Sequence, residues 1–339
     1  MRMSIGLIII IVILFLIFLS WIKKEDLNKK LEKIKKFPEV TYIPDMSKNL
    51  IFDCLNLNKT VVISKEIESK CTKEKNEYDE ILPINTEKID IKRVLILLHG
   101  IRDSKDDWRT KGKLVENYHY LLKKNSIEEM AFILPESGYN GESWYTNFYH
   151  ERDFKYEDYF IKELLPQIKK EFPNAKFGIV GFSMGGYGAF KLGIRSVGMF
   201  DVVGSISGAV SLIRMISNKR VLRFFKYIYI PKILFEKFEK KHFVRVFSSK
   251  GRKILKEDVY SIFKKLKYEK YKNIKFYASV GTEDKEPYLM LQQWIDIVGR
   301  MKKYKYKFKA YLYKNQTHTW DYVSKDLGNF LKYFYENTK

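Results

Sequence analysis

The sequence predicts an α/β fold in which helices cover both faces of a mainly parallel sheet. Continuous apolar runs of strand length occupy residues 93–98, 130–134 and 177–180, as expected of strands that are buried on both faces. Helical periodicity marks residues 156–172 and 185–194. Strands that alternate with helices along a chain form parallel sheets that are covered on both sides.

The composition agrees with one large domain. Hydrophobic residues make up 45% of the 339 residues and aromatic residues 16%, which is enough for a sizeable core and excludes a disordered chain. The sequence contains no internal repeat and no low-complexity linker. We therefore expect one domain over residues 51–339, preceded by two segments of different character.

The first of these segments is apolar. Residues 5–22 carry no charge, and 18 helical residues span about 27 Å, close to the thickness of a bilayer core. Arg2 precedes the stretch and Trp21 lies at its end, as interfacial anchors do. We expect residues 1–22 to form an uncleaved transmembrane anchor. A cleaved signal peptide is the alternative, although no small-x-small cleavage site follows the stretch.

The second segment, residues 23–50, is predicted to be a polar stalk with a helical part. A very short N-terminal tail normally stays in the cytoplasm, which leads us to expect an extracytoplasmic domain. Seven lysines against three acids in residues 23–36 favour the opposite orientation. Cys54 and Cys71 are either free thiols or, outside the cytoplasm, a disulfide.

The remaining elements complete the predicted sheet. Residues 70–76 are polar and predicted to be a loop, and residues 321–335 are predicted to be a closing helix. Further strands are predicted at residues 60–64, 202–206, 274–280 and 304–313.

The formal net charge of +22 suggests nucleic acid or an anionic membrane as a partner, or a general over-use of lysine. No zinc-finger spacing or RNA-binding aromatic motif is present, so we expect no nucleic-acid partner. Residues 214–253 hold 13 Lys or Arg, two acids and eight aromatic residues, within a predicted cap-like insertion over about 212–256. The insertion is either a lid that meets anionic lipid or polymer, or a cap with a solvated basic face and an aromatic underside.

A reactive serine is predicted where the strand at 177–180 meets the helix at 185–194. Residues 181–185 read G-F-S-M-G and fit the pattern G-x-S-x-G. In that pattern the strand turns sharply into the helix, with Ser183 at the apex in a strained backbone conformation. Glycine is needed two residues to either side because side chains there would collide. The sequence therefore predicts Ser183 as a nucleophile at the positive end of a helix.

A serine nucleophile needs a base, and the base needs an orienting acid. When the serine lies in such an elbow, the acid and then the histidine follow it along the chain. His242 and His318 are the histidines after Ser183. His318 lies between the strand at 304–313 and the last helix, where a loop reaches the carboxyl edge of the sheet. We favour His318, since His242 lies in the basic aromatic segment beside no strand end.

The acid should follow the preceding strand. Residues 281–284 read G-T-E-D directly after the strand at 274–280, so we expect Asp284, with Glu283 as the alternative. An oxyanion would need two backbone N–H groups. We expect these from Met184, after the nucleophile, and from Ile101, after the strand at 93–98. His99 is interpreted as a structural residue of that loop.

These residues belong to a larger ordered set of motifs. By that set the chain resembles the esterase D family, which includes S-formylglutathione hydrolases, tributyrin-type esterases, feruloyl esterases and antigen 85 mycolyltransferases. The resemblance covers about residues 93–334. Its motifs are L-L-H-G-I at 97–101, D-W at 107–108, L-P at 134–135, E-S-W-Y-T at 142–146, E-L-L-P at 163–166, G-F-S-M-G-G-Y-G-A at 181–189, S-G at 207–208, G-T-E-D at 281–284 and T-H-T-W at 317–320.

The resemblance implies an α/β-hydrolase fold and ester hydrolysis through an acyl-enzyme, with no cofactor and no metal. It also implies a role for each matching residue: Ser183, Asp284 and His318 as the catalytic triad, Ile101 and Met184 as oxyanion donors, and Ser143, Trp144 and Tyr145 as the substrate-binding segment beside the cleft. One departure is that residues 315–317 read N-Q-T, where the family usually has a glycine just before the histidine.

The expected function is that of a membrane-anchored serine carboxylesterase that acts on a small ester or acylated substrate. The membrane contact is expected through residues 5–22 and through the basic insertion. An acyltransferase on the same three residues is an alternative, since an alcohol can replace the attacking water. A non-catalytic membrane-bound binding module is another, because a fold alone does not establish chemistry.

Overall fold

The computed structural model describes residues 27–46, 59–149, 151–216, 240–264 and 271–339. The strands are β1 Val40–Ile43, β2 Thr60–Glu68, β3 Lys75–Pro83, β4 Arg93–Leu98, β5 Ala131–Pro135, β6 Lys176–Phe182, β7 Val202–Ile206, β8 Lys275–Gly281 and β9 Lys307–Tyr313. The helices are α1 Leu27–Lys35, α2 Asp107–Thr110, α3 Leu114–Lys123, α4 Tyr156–Tyr159, α5 Leu165–Glu171, α6 Met184–Arg195, α7 Leu212–Ile216, α8 Lys240–Phe247, α9 Gly251–Glu257, α10 Val259–Phe263, α11 Met290–Lys303 and α12 Trp320–Glu336. A π-helical turn, Phe160–Leu164, joins α4 to α5.

The nine strands form one sheet in the order β1-β9-β8-β7-β6-β4-β5-β3-β2. Every neighbouring pair from β1 to β5 is parallel, while β3 is antiparallel to both β5 and β2. The prediction of a mainly parallel sheet is thus confirmed. Because parallel strands all end at the same edge, the loops after β4, β6, β8 and β9 meet there.

Helices cover both faces of the sheet, as the doubly buried strands require. In β4, Ile96 belongs to the apolar cluster on the face of α6 and α11, and Leu97 to the cluster on the face of α3 and α12. The helix α12 approaches closely at Gly178 of β6, where an added Cβ would lie 2.7 Å from the Phe334 ring. The sheet core is therefore the rigid base for the loops at its carboxyl edge.

The insertion between β7 and β8 carries α7, α8, α9 and α10. Phe243 and Phe247 of α8 are buried, while Lys241 on the same helix is exposed. This part of the insertion has an aromatic underside. Residues 217–239, which carry much of the expected basic charge, lie outside the described residues, so the choice between lid and cap stays a prediction.

The N-terminal region differs from the expected stalk where it is described. The predicted helical part is present as α1, and its Ile34 is buried in the core beside Gly299 of α11. Residues of β1 then pair in parallel with β9. Thus residues 27–43 pack onto the domain. The predicted anchor over residues 1–22 and Cys54 lie outside the described residues, and no helix within the described residues is long and apolar enough to span a bilayer.

Candidate active site

Ser183 lies at a sharp turn between β6 and α6. Its backbone adopts φ 55° and ψ −117°, a conformation that costs energy for a residue with a side chain. The turn requires glycine on both sides. A Cβ on Gly181 would lie 2.2 Å from the carbonyl of Gly185, and a Cβ on Gly185 would lie 2.0 Å from the carbonyl oxygen of Leu98. The Ser183 N–H donates to the Ile206 carbonyl at 3.1 Å, which fixes the turn to β7.

The structure brings Ser183, His318 and Asp284 together. The distance from Ser183 Oγ to His318 Nε2 is 2.8 Å, and that from His318 Nδ1 to Asp284 Oδ2 is also 2.8 Å. A carboxylate only accepts hydrogen bonds, so Nδ1 carries the proton and Nε2 accepts from the hydroxyl. Asp284 is 4% exposed and the His318 side chain 30%, so the acid is shielded while the imidazole borders the cleft.

The loop before His318 is bonded to the loop after β8, which explains how it holds its shape without the glycine that the family usually has. The Asn315 N–H donates to Thr282 Oγ1 at 2.8 Å. The Glu283 N–H donates to the Gln316 carbonyl at 3.0 Å. Acid and base are therefore carried by two loops that support each other.

An aromatic stack supports the imidazole. The ring of Phe182, just before the serine, lies 4.7 Å from the His318 ring at an angle of 30°. Trp320 packs on Phe182 at 5.0 Å and on Trp108 at 5.1 Å. Phe182 and Trp320 were not singled out as site residues in the sequence, although both lie within motifs that were.

The alternative base and acid lie elsewhere. His242 Nε2 is 2.6 Å from the carbonyl oxygen of Glu142, and its ring stacks on Tyr139 at 5.5 Å. Glu283 is exposed, and its hydrogen bond with Lys285 lowers the pKa of its carboxyl. Neither contacts Ser183 among the described interactions, so the geometry favours His318 and Asp284 over them.

Two backbone N–H groups border the serine. Ile101 and Met184 both line the cleft together with Ser183. The loop after β4 comes close, since a Cβ on Gly100 would lie 3.5 Å from Ser183 Cβ. Within the described part of the chain, neither the Ile101 nor the Met184 N–H donates to another protein group. Both remain available to a developing oxyanion.

The cleft beside Ser183 is small and apolar, with a volume of about 20 Å³. Trp144 is the predicted substrate-binding residue that lines it. Four further lining residues were not predicted, because a single alanine, methionine or tyrosine outside any motif carries no recognisable chemical signal. They are Ala209, Met215, Tyr288 and Met290.

The other two predicted substrate-binding residues lie inside the protein. Ser143 is fully buried and its Oγ accepts from the Tyr145 N–H at 3.0 Å. Tyr145 is fully buried and its hydroxyl donates to the His99 carbonyl at 3.0 Å. His99 in turn accepts from the Ser137 N–H at Nε2 and lies 2.8 Å from the Gly100 carbonyl through Nδ1. These contacts shape the loop after β4 and do not reach the cleft, which corrects the prediction for Ser143 and Tyr145.

A buried carboxylate ties together the elements that carry the acid and the base. Asp326 of α12 accepts hydrogen bonds from Tyr277 and Ser279 of β8, at 2.6 and 2.5 Å, and from the Tyr313 hydroxyl of β9. Burial raises the pKa of Asp326 to about 6, although these three hydroxyls oppose the shift. The network fixes β8, β9 and α12 behind Asp284 and His318.

In the described ranges, no group of three or more His, Cys, Asp or Glu side chains is arranged to hold a metal ion. What the site does contain is a strained serine, an imidazole in hydrogen-bonding contact with it, a shielded carboxylate and two available N–H groups. These are the groups that nucleophilic acyl transfer requires.

The Esterase family model, described as "Putative esterase", matches residues 77–333, most of the chain. The chain belongs to the Esterase family. This confirms the resemblance to the esterase D family. The chain is also 37% identical over 129 residues to Esterase MT1326 of Mycobacterium tuberculosis (strain CDC 1551 / Oshkosh), a match that covers 36% of this chain. The match spans about a quarter, 26%, of that relative's own length.

Solved structures confirm the α/β-hydrolase fold. The S-formylglutathione hydrolase from Agrobacterium tumefaciens superimposes with a TM-score of 0.63 at 14% identity, over 83% of this chain and 96% of that one. The fluorophosphonate-binding serine hydrolase FphF of Staphylococcus aureus gives a TM-score of 0.61 at 16% identity, over 81% and 98% of the two chains. At such low identity the likeness establishes the fold, and the chemistry rests on this esterase's own residues.

Proposed function

We propose that this esterase is a serine carboxylesterase that hydrolyses a carboxylic ester through an acyl-enzyme on Ser183. The observation that carries the proposal is the continuous hydrogen-bonded line from Ser183 Oγ through His318 to Asp284, with 2.8 Å at each contact. Ser183 is held by its strained turn, and His318 and Asp284 by two mutually bonded loops. The groups are therefore positioned before substrate arrives, which is where much of the catalytic advantage of such sites comes from.

In the first half of the reaction, Ser183 Oγ attacks the ester carbonyl as His318 Nε2 accepts the hydroxyl proton. Asp284 holds the Nδ1–H and stabilises the imidazolium that forms. The tetrahedral intermediate collapses when the C–O bond to the alcohol breaks, and His318 donates its proton to that leaving oxygen. In the second half, water attacks the acyl-enzyme with His318 again as the base, and the carboxylic acid leaves with regeneration of Ser183.

The negative charge on the carbonyl oxygen would be met by the Ile101 and Met184 N–H groups. Both residues line the cleft together with Ser183, which supports this role. The N-terminus of α6 adds a favourable electrostatic potential at the same point. Loss of one such donor costs on the order of 3 kcal/mol of transition-state stabilisation in related acyl-transfer sites.

A fluorophosphonate probe and p-nitrophenyl acetate test the proposal. Wild type should be labelled and should turn over the ester, and Ser183→Ala should do neither. Ser196→Ala, at the other end of α6, is the matched control and should behave as wild type. A wild type that is neither labelled nor active would contradict the proposal and favour the non-catalytic binding module. Equal labelling of Ser183→Ala would show that another residue is the nucleophile.

We further propose that residues 5–22 anchor the esterase in a membrane with its domain outside the cytoplasm. The uncharged 18-residue stretch and its flanking Arg2 and Trp21 support the anchor. Retention of the full chain in the membrane fraction after a high-salt wash is expected, and release without detergent would contradict the anchor.

The orientation is tested with an impermeant maleimide on an engineered thiol. Burial, together with Glu163, raises the pKa of Cys71 to about 11, so this native thiol reacts too slowly to report. Lys305→Cys at an exposed position, with Cys54→Ser and Cys71→Ser, should be labelled in intact cells. Labelling that requires permeabilised cells would place the domain in the cytoplasm.

A further inference from the structure

Trp144 forms one wall of the cleft, and the backbone at this residue and the next is strained. Trp144 has φ 54° and Tyr145 has φ 48°, both in the left-handed region that residues with side chains rarely adopt. Nevertheless, the Trp144 ring is well packed, at 5.6 Å from Tyr187 of α6 and 5.5 Å from Phe247 of α8. Two consecutive strained residues persist only when the surroundings hold them in place.

A directed pair of hydrogen bonds holds this segment. The Thr146 hydroxyl donates to the Trp144 carbonyl at 2.7 Å. Lys191 Nζ donates to Thr146 Oγ1 at 2.6 Å. An ammonium group can only donate and a hydroxyl has one hydrogen, so the order from Lys191 through Thr146 to Trp144 is fixed.

Lys191 itself is fully buried on α6, two turns after the nucleophile. Its Nζ lies 2.8 Å from a carboxylate oxygen of Glu157 and 2.8 Å from one of Glu257. Arg195 contacts the same two carboxylates, so two cations meet two anions. Burial lowers the pKa of Lys191, but the two carboxylates raise it by more, so the net shift is upward. The side chain therefore stays a protonated ammonium group that donates hydrogen bonds.

The network also reaches the insertion. Glu257 belongs to α9, and its carbonyl accepts from the Tyr187 hydroxyl at 3.0 Å. Lys191 thus joins the helix of the nucleophile, the insertion and the Trp144 segment at one buried point. None of the four charged residues lines the cleft, so their influence on substrate must pass through Thr146 and Trp144.

We propose that Lys191 and Thr146 are positioning residues that fix the Trp144 wall and so restrict this esterase to short acyl groups. The proposal deepens, and rests on, acyl-enzyme formation at Ser183. The cleft has a volume of about 20 Å³, so the part of an acyl group that packs against Trp144 is small. A longer acyl chain either extends through the open side of the cleft or displaces a wall residue, and the hydrogen bonds from Lys191 to Trp144 oppose displacement of Trp144.

The test compares kcat/KM for p-nitrophenyl acetate, butyrate and octanoate. Wild type should prefer acetate. Thr146→Val keeps the shape of the side chain and removes the hydroxyl, so the preference for acetate over butyrate should fall by about 10-fold, the range that a few methylenes command in a tight pocket. Thr146→Ser keeps the hydroxyl and should retain the preference. Thr72→Val removes another buried hydroxyl, one that binds Asn76 away from the cleft, and should leave the preference unchanged.

A second variant removes Lys191 together with one of its carboxylate partners, so that no buried charge is left unpaired. Lys191→Met combined with Glu257→Gln leaves the Arg195–Glu157 pair intact and should broaden acyl preference as Thr146→Val does. Folded variants with the acyl preference of wild type would overturn the inference, and so would a Thr72→Val variant that broadens it equally. Failure of the proposed function is distinguishable, because wild type itself would then show neither labelling nor turnover.

Discussion

Replacing Asp284 with asparagine tests how the imidazole of His318 is held. In the wild type, Nδ1–H donates to Asp284 Oδ2 at 2.8 Å, which leaves Nε2 free to accept the Ser183 proton, also at 2.8 Å. An asparagine of the same shape can turn its NH₂ group toward Nδ1. The ring proton then moves to Nε2, which can donate to Ser183 and no longer accepts from it.

The expected loss follows from that tautomer change and from the missing negative charge beside the imidazolium. Such a substitution in a serine–histidine–aspartate site lowers kcat by about 10⁴-fold, or about 5 kcal/mol of activation free energy. Asp284 is 4% exposed, so bulk water cannot take over the role of the carboxylate. The fold should survive, because the change conserves shape.

The assay is steady-state turnover of p-nitrophenyl acetate, with thermal melting to verify folding. Glu283→Gln is the control, since it neutralises the adjacent, exposed acid of the same loop and should change kcat by less than about 3-fold. An Asp284→Asn variant within 10-fold of wild type would refute the assignment of the acid. A larger loss in Glu283→Gln than in Asp284→Asn would transfer that role to Glu283.

Three further outcomes are expected. Gly185→Ala should abolish folding or fluorophosphonate labelling, because its Cβ would lie 2.0 Å from the Leu98 carbonyl oxygen. Gly299→Ala is the control, since its Cβ would lie 3.8 Å from the nearest neighbouring side-chain atom. It should raise the free energy of unfolding, measured in urea, by up to about 1 kcal/mol. The pKa of Asp326 is raised to about 6, so the folded state binds the proton more tightly than the unfolded state does. The free energy of unfolding of wild type should therefore fall by up to about 3 kcal/mol as pH rises from 4 to above 6. Asp326→Asn should remove that fall, and a difference in unfolding free energy between the two proteins that stays constant with pH would contradict this prediction. Cys71, with its pKa raised to about 11, should alkylate with iodoacetamide at least tenfold faster after denaturation than before, as measured by mass spectrometry.

The sequence predicted those parts of the fold whose residues are apolar throughout. The run at 93–98 is β4 with the same bounds, and the strands and helices from β5 to α12 that it predicted lie within a few residues of the observed ones. It missed β3, which was partly assigned to a loop, because that strand reads K-N-E-Y-D-E-I-L-P. Its buried Glu80 is neutralised by Lys65 and Lys88, at 2.9 and 2.7 Å. Such tertiary pairing hides a buried strand from any rule based on hydrophobicity.

In the site, as in the fold, the sequence predicted the residues that follow a recognisable pattern and missed those that do not. Ser183, Asp284 and His318 were found because their chemistry needs particular residue types at strand ends in a fixed order. Part of the cleft wall was not found, because Met215 and Met290 come from two separate helices and carry no pattern. Ser143 and Tyr145 were assigned to the cleft by resemblance alone, and the structure turns both inward. A residue within a site motif can hydrogen-bond to the main chain of a neighbouring loop and make no contact with the substrate.

The pairing of β1 with β9 has a consequence for any shortened form of this esterase. A chain cut at residue 51, where the domain was expected to begin, would lose β1 and uncover a row of N–H and C=O groups along β9. Uncovered strand edges recruit other chains, so such a protein should self-associate. It would also expose the face of α11 that Ile34 covers. A cut near residue 27 removes the apolar N-terminal stretch and leaves β9 paired with the four-residue edge strand β1.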